Sequence, residues 1–170
     1  RRERPMISKF NPRSRRDPVN PTYSASVTWD TLDEINEMSD LPLIVKGIAT
    51  AEDAEIAIDH KAEVIWVSNH GGRQLDEAPT PFDLLPEVAE AVQGRLEIIC
   101  DGGARRGSDI VKAISLGAAA VMAGRPYLYA LAACGERGVD HVLGLLHEGV
   151  ERTMALTGAA SVDDLTKELI

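Results

Sequence analysis

The stretch LEIICDGGARRGSDIVKAISLGA, residues 96–118, changes its period partway along. Residues 96–100 are almost continuously apolar, the pattern of a strand covered on both faces. Asp101-Gly102-Gly103 then breaks the run, and Ile110, Val111 and Ile114 return at helical spacing. Strand, glycine turn and amphipathic helix follow one another as a single βα unit.

The same unit recurs on either side. Apolar runs at 43–46, 64–68 and 120–123 predict three more strands. Between and beyond them Leu85, Val88, Ala89 and Val92 form a clear helical stripe, as do Val142, Leu145, Leu146 and Val150. Ala54, Ala57 and Ile58 give a weaker stripe, and Trp29, Leu32 and Ile35 predict a helix ahead of the first strand. Four repeats with no room for hairpins mean parallel strands joined by right-handed crossovers. The class is therefore α/β, and four βα units are half of a (β/α)8 TIM barrel. A half barrel has two open sheet edges and an unsealed interior, so a partner is expected, either the other half or another copy of the chain.

Residues 1–26 differ in kind: Arg, Asn and Ser without apolar period, and Pro at 5, 12, 18 and 21, predict a basic loop or arm. Residues 27–170 form the barrel unit. The net charge of −9 is unevenly spread, since the first twenty residues hold seven basic and two acidic side chains. An acidic body excludes a nucleic-acid surface, which needs basic groups across the folded face. Two cysteines without a CxxC pair suit a reducing, cytoplasmic setting. No run approaches a membrane span, and an Arg- and Pro-rich arm without an apolar face is not expected to anchor on lipid. The chain does not begin with Met and has no apolar leader, so it reads as a processed product or a fragment.

Each strand ends in a chemically distinctive group. Lys46 closes the first, Ser68-Asn69-His70 the second, Asp101-Gly102-Gly103 the third and Gly124-Arg125 the fourth. All fall at the carboxyl ends of the strands, where barrel enzymes build their sites. His70 is suited to moving protons near neutral pH, and Arg73 offers a planar fork for a carboxylate. The glycines at 71 and 72 allow backbone to approach a flat ligand. The turn from Asp101 into the next helix leaves N–H groups for a phosphate, with Arg105 and Arg106 as countercharge and Gly124-Arg125 closing the pocket. Blander readings exist: His70 or Asp101 as nothing more than a helix cap. No metal-ligand spacing is apparent.

The strings VKGIATAEDA (45–54), VSNHGGRQLD (67–76), DGGARRGSDIVKAISLGA (101–118) and AGRPYLY (123–129) resemble the FMN-dependent α-hydroxy acid oxidases and dehydrogenases, in the order of that family's carboxyl-terminal half. The resemblance implies FMN as cofactor and a small L-2-hydroxy acid, lactate- or glycolate-like, oxidised to the 2-oxo acid. It implies His70 as base and Arg73 as the carboxylate clamp. Lys46 and Ser68 would meet the flavin, while Asp101, Gly102, Gly103, Arg105, Gly124 and Arg125 would hold the ribityl phosphate. Proton removal from the hydroxyl and from the α-carbon both remain open. So does the final electron acceptor. Trp66 and the EAP after Asp76 resemble the family's lactate oxidases.

The family's first half supplies further site residues that nothing here matches, so the chain alone is an incomplete site, and a complete protein is expected to be a homo-oligomer. Smaller departures are Lys61, where relatives commonly have Gly, and Ala159, where many have Cys. Rival readings are another phosphate-binding barrel enzyme of the inosine-monophosphate-dehydrogenase kind, which lacks its catalytic Cys loop here, and a noncatalytic half barrel that binds no flavin.

Overall fold

A computed structural model describes residues 27–169; the basic arm lies outside the described residues. The order is α1 (Asp30–Met38), β1 (Ile44–Ile48), α2 (Ala51–Asp59), β2 (Val64–Val67), α3 (Pro81–Val92), β3 (Glu97–Cys100), α4 (Gly107–Ser115), β4 (Ala120–Val121) and α5 (Arg125–Thr157). A 3-10 turn, His70–Gly72, follows β2, and two more follow α5. The four strands form one parallel sheet in the order β1-β2-β3-β4. This is the α/β half barrel that the repeated period predicts.

Local chemistry sets the helix starts. Thr50 Oγ1 accepts from the Asp53 N–H at the head of α2, and Thr80 does the same for Asp83 ahead of Pro81 in α3. At α4 the Asp109 carboxylate accepts from the N–H groups of Arg105 and Arg106, each at 2.9 Å. Two of the donors expected to serve a phosphate are thus already satisfied from inside the chain. Capping at these two helices falls to other residues, Asp109 at α4 and Thr80 at α3.

One face of the sheet is sealed. Val45, Ile65, Val67, Ile98 and Cys100 pack against Ala54, Ala57, Leu85, Val88 and Val92, all buried. Each large side chain removed from water here contributes about 1.5–3 kcal/mol. The opposite face departs from the two-sided burial that the apolar runs predict: Ile44 is 46% and Met122 45% exposed. Alternation explains it, since successive side chains point to opposite faces and the described helices cover only one. The strip Val142, Leu145, Leu146, Val150 departs likewise, burying Leu146 alone of the four while Leu145 is 53% exposed.

Helix α5 is longer than its apolar stripe indicates. It begins at Arg125, with Pro126 in its first turn, and breaks at Cys134-Gly135, where the backbone leaves helical geometry. It crosses α4 closely at Gly107 and Gly149, where a Cβ on Gly107 would lie 2.1 Å from the Gly149 carbonyl carbon.

Candidate active site

The strand ends converge on an open cavity of about 910 Å3. Lys46, His70, Arg73, Asp101, Arg105 and Arg125 lie in its wall, together with Gly102, Gly103 and Gly124. Ser68 is the one predicted site residue outside the wall. It is buried behind it, where its hydroxyl accepts from Lys46 Nζ at 2.6 Å and from the His70 N–H at 3.1 Å. One hydroxyl therefore positions both the Lys46 ammonium and the His70 backbone.

Lys46 is held from three directions. Besides Ser68, its ammonium lies 3.0 Å from Asp101 Oδ2 and 4.6 Å from the centroid of the Trp66 ring. The strand register accounts for the ring contact, since Lys46 and Trp66 are paired across β1 and β2. Gly47 follows Lys46 at φ +100 in a bulge, and a Cβ there would lie 3.5 Å from His70 Cε1. The bulge brings the backbone of β1 up to the imidazole.

His70 itself has φ +56, and Gly71 and Gly72 continue in the left-handed region. Two glycines adopt it freely; a histidine does so at a cost. The Arg125 guanidinium lies over Gly71, with Nη2 3.5 Å from where a Cβ would stand. Absence of that Cβ lets the arginine at the head of α5 reach the loop carrying His70. Gly102, at φ +81, sits against Pro81 and Asn69, so β3 and α3 meet at a point that excludes a side chain.

Electrostatics leave unused acceptor and donor capacity here. Asp101 Oδ1 and Trp66 Nε1 are buried without a hydrogen-bond partner. Among the described residues neither Arg105 nor Arg125 enters an ion pair. Beneath the site, burial and then the neighbouring Asp101 charge push the Cys100 thiol up to about 12. Its chemistry is that of a packed, neutral side chain.

The residues that the sequence reading missed are Trp66 as a contact of Lys46, and Met122, Tyr127 and Tyr129 in the cavity wall. Register could have found Trp66, because an inward side chain opposite Lys46 on the next strand must touch it. For the tyrosines the signal was Pro126 after Gly124-Arg125, which marks a helix start and turns the following residues towards the strand ends. Elsewhere, Asp30, Asp33 and His60 gather at the surface, with His60 Nδ1 2.9 Å from Asp33 Oδ2. Stacking of Trp29 on His60 accounts for that cluster as the join between α1 and α2.

Parallel βα units with a cationic, glycine-floored cavity at the carboxyl ends of their strands define a barrel protein built to take an anionic cofactor. The chain belongs to the FMN-dependent dehydrogenase family, whose model matches residues 3–170. It is 45% identical to 2-hydroxyacid oxidase 2 of Bos taurus over 166 residues, 98% of this chain and 46% of that protein. It is 48% identical to an L-lactate oxidase of Nostoc sp. over 140 residues, 82% of this chain and 38% of that one. Among solved structures, a lactate oxidase of Pediococcus acidilactici superposes with a TM-score of 0.81 at 44% identity, covering 84% of this chain and 40% of that one. The chain thus spans less than half the length of these relatives. The family match, with the superposition on an oxidase of that kind, stands against the reading of another phosphate-binding barrel enzyme.

The residues present fit FMN. Arg105 and Arg125 supply countercharge for a phosphate beside Gly103 and Gly124, and a Cβ at Gly124 would meet nothing within 4 Å, so that wall is open. The unpartnered Asp101 Oδ1 has acceptor capacity for a hydroxyl, and Lys46 gives a fixed cation from β1, across the intervening β2.

Proposed function

We propose that this chain is the cofactor-binding and base-bearing half of an FMN-dependent enzyme that oxidises a small L-2-hydroxy acid, lactate- or glycolate-like, to the 2-oxo acid. The observation that carries the reading is the convergence of Lys46, His70, Arg73, Arg105 and Arg125 on one cavity at the strand ends. The names of its relatives, which include 2-hydroxyacid, lactate and mandelate oxidases, support the substrate class.

In this reading Arg73 pairs its guanidinium with the substrate carboxylate and fixes the orientation of the α-carbon. His70 takes a proton from the substrate and retains it on the imidazole. Lys46, Asp101, Gly102, Gly103, Arg105, Gly124 and Arg125 hold the cofactor, and Ser68 holds Lys46 and the His70 backbone in register. Bound FMN supplies the two-electron acceptor. The exposed inner face of the sheet, with Ile44 and Met122, favours closure by the remaining βα units or a second copy of the chain. Free thiols at Cys100 and Cys134 favour a reducing compartment such as the cytoplasm.

The test is anaerobic mixing of the flavin-loaded protein with L-lactate and with glycolate, followed by flavin absorbance. One acid at least is expected to bleach the flavin, and His70→Gln is expected to keep the flavin while slowing bleaching by roughly 10²–10⁴-fold. Absence of bound flavin would favour a noncatalytic half barrel, and bleaching at an unchanged rate in His70→Gln would remove His70 as the base.

A further inference from the structure

Asn69 immediately precedes the left-handed run and is bonded on both sides of its amide. Its Oδ1 accepts from the Gly72 N–H at 3.1 Å, and its main-chain oxygen accepts from the same N–H, also at 3.1 Å. Its Nδ2 donates to the Pro79 carbonyl at 3.2 Å, in the segment that leads into Thr80, the cap of α3. The same Oδ1 lies against Gly102, 3.3 Å from where a Cβ would stand. One amide therefore joins the end of β2, the start of α3 and the glycine turn after β3.

Enclosed by those bonds is His70 at φ +56, in a region that a side chain with a Cβ occupies only when the surroundings enforce it. Ser68 fixes the entry, through the His70 N–H, and Asn69 fixes the exit, through Gly72. Without the Oδ1 acceptor and the Nδ2 tie to Pro79, the 70–72 turn keeps only the main-chain bond from the Gly72 N–H and is freer to relax towards ordinary φ, which swings the imidazole about its own Cα. A base displaced by about 1 Å loses on the order of 10²-fold in rate through geometry alone.

We infer that Asn69 is a positioning residue for His70: its side-chain amide holds the left-handed turn that aims the imidazole, without itself meeting substrate or cofactor. The inference rests on the proposed function and concerns the step that His70 performs. Asn69→Ala removes both bonds of the amide. Asn69→Asp keeps the acceptor for the Gly72 N–H and loses the donor to Pro79.

The experiment uses the flavin-loaded protein, mixed anaerobically with the hydroxy acid that bleaches the parent, with the reduction rate expressed per bound flavin. Asn69→Ala is expected to slow reduction by about 10²-fold, with the substrate concentration at half-saturation changed less than about threefold. Asn69→Asp is expected to recover to within about tenfold of the parent. In a His70→Gln background, Asn69→Ala is expected to cost nothing further, because an effect exerted through His70 vanishes with it. Rates per flavin equal to the parent in Asn69→Ala, or a full additional loss in the double variant, would overturn the inference. Should the alanine variant not fold, Asn69→Asp decides alone: a rate reduced as far as in His70→Gln would show that the Gly72 acceptor does not hold the base. A parent that no hydroxy acid bleaches would instead overturn the proposed function, and this inference with it.

Discussion

Lys46 and Asp101 form an ion pair at 3.0 Å that spans from β1 to β3, over the intervening strand β2. The pair is partly screened, with side chains 26% and 17% exposed. Between them β2 contributes the Ser68 hydroxyl and the Trp66 ring, so three adjacent strand ends are locked by one ammonium group.

That arrangement predicts the outcome of Lys46→Met. Asp101, whose Oδ1 already lacks a partner, would lose the one ion pair it makes among the described residues, and the expected destabilisation is about 1–3 kcal/mol, between an exposed and a buried pair. Adding Asp101→Asn should return part of that loss, because an amide tolerates the missing cation. Urea unfolding of the two variants checks this; equal midpoints for the parent and Lys46→Met would show that the pair contributes nothing to the fold.

Much of this was legible beforehand, for physical reasons that differ from element to element. The stripe Leu85, Val88, Val92 announced α3 because all three side chains face a buried sheet surface. The residues 67–76 announced a loop lining the cavity because His70, Arg73 and two glycines follow directly on a strand end, where side chains converge on the site. The stripe of α5 misled, since an apolar period says that a face can be buried, not that a described element covers it. Likewise the free N–H groups expected after Asp101 were partly consumed by Asp109, a residue eight positions on whose reach depends on the turn's three-dimensional course. Asn69 was named at its strand end without a role, because an amide's value lies in its partners, which only the folded loop brings to it.

Lys61 illustrates how a family departure becomes a stability prediction. It ends α2 at φ +61 in a Schellman motif, with its own N–H on the Ile58 carbonyl and the Ala62 N–H on that of Ala57. Helix α4 ends in the same motif with Gly117 in the equivalent place, at φ +108. Lys61→Gly should therefore stabilise by about 0.5–1 kcal/mol, the relief of left-handed strain less the lost charge at a helix carboxyl end. Thermal unfolding measures it, and Gly117→Lys should shift the midpoint the opposite way. A lower midpoint for Lys61→Gly would show that the charge outweighs the strain.

The crossing of α4 and α5 leaves no room for growth. A methyl on Gly107 would come within 2.1 Å of both the Gly149 carbonyl carbon and the Val150 nitrogen, which are backbone and cannot rotate away. Gly107→Ala should separate the helices and cost about 1–3 kcal/mol or more. Because Arg105 lies two residues ahead and faces the cavity, flavin affinity should fall with it. Gly144→Ala, where a Cβ would meet nothing within 4 Å, is the matched control and should leave both unchanged. Equal unfolding midpoints for the two variants would remove the close crossing as a constraint.

Cys100 and Cys134 should differ sharply as thiols. Cys100 lies wholly buried at the end of β3, and desolvation first, then the Asp101 charge, raises its pKa from an ordinary 9.0 to about 12. Cys134 is exposed at the break in α5. Iodoacetamide at pH 8 should label Cys134 and spare Cys100 until urea is added. A raised folded-state pKa means that the unfolded chain loses its thiol proton first, from about pH 9, while the folded chain keeps its own. Stability linked to Cys100 is therefore complete below about pH 9 and falls progressively as pH approaches 12. Cys100→Ala removes that dependence, so its unfolding midpoint should decline less steeply than the parent's between pH 9 and 11. Parallel declines would mean that the Cys100 thiol ionises as readily in the folded chain as in the unfolded one, and labelling at pH 8 would then reach both cysteines alike.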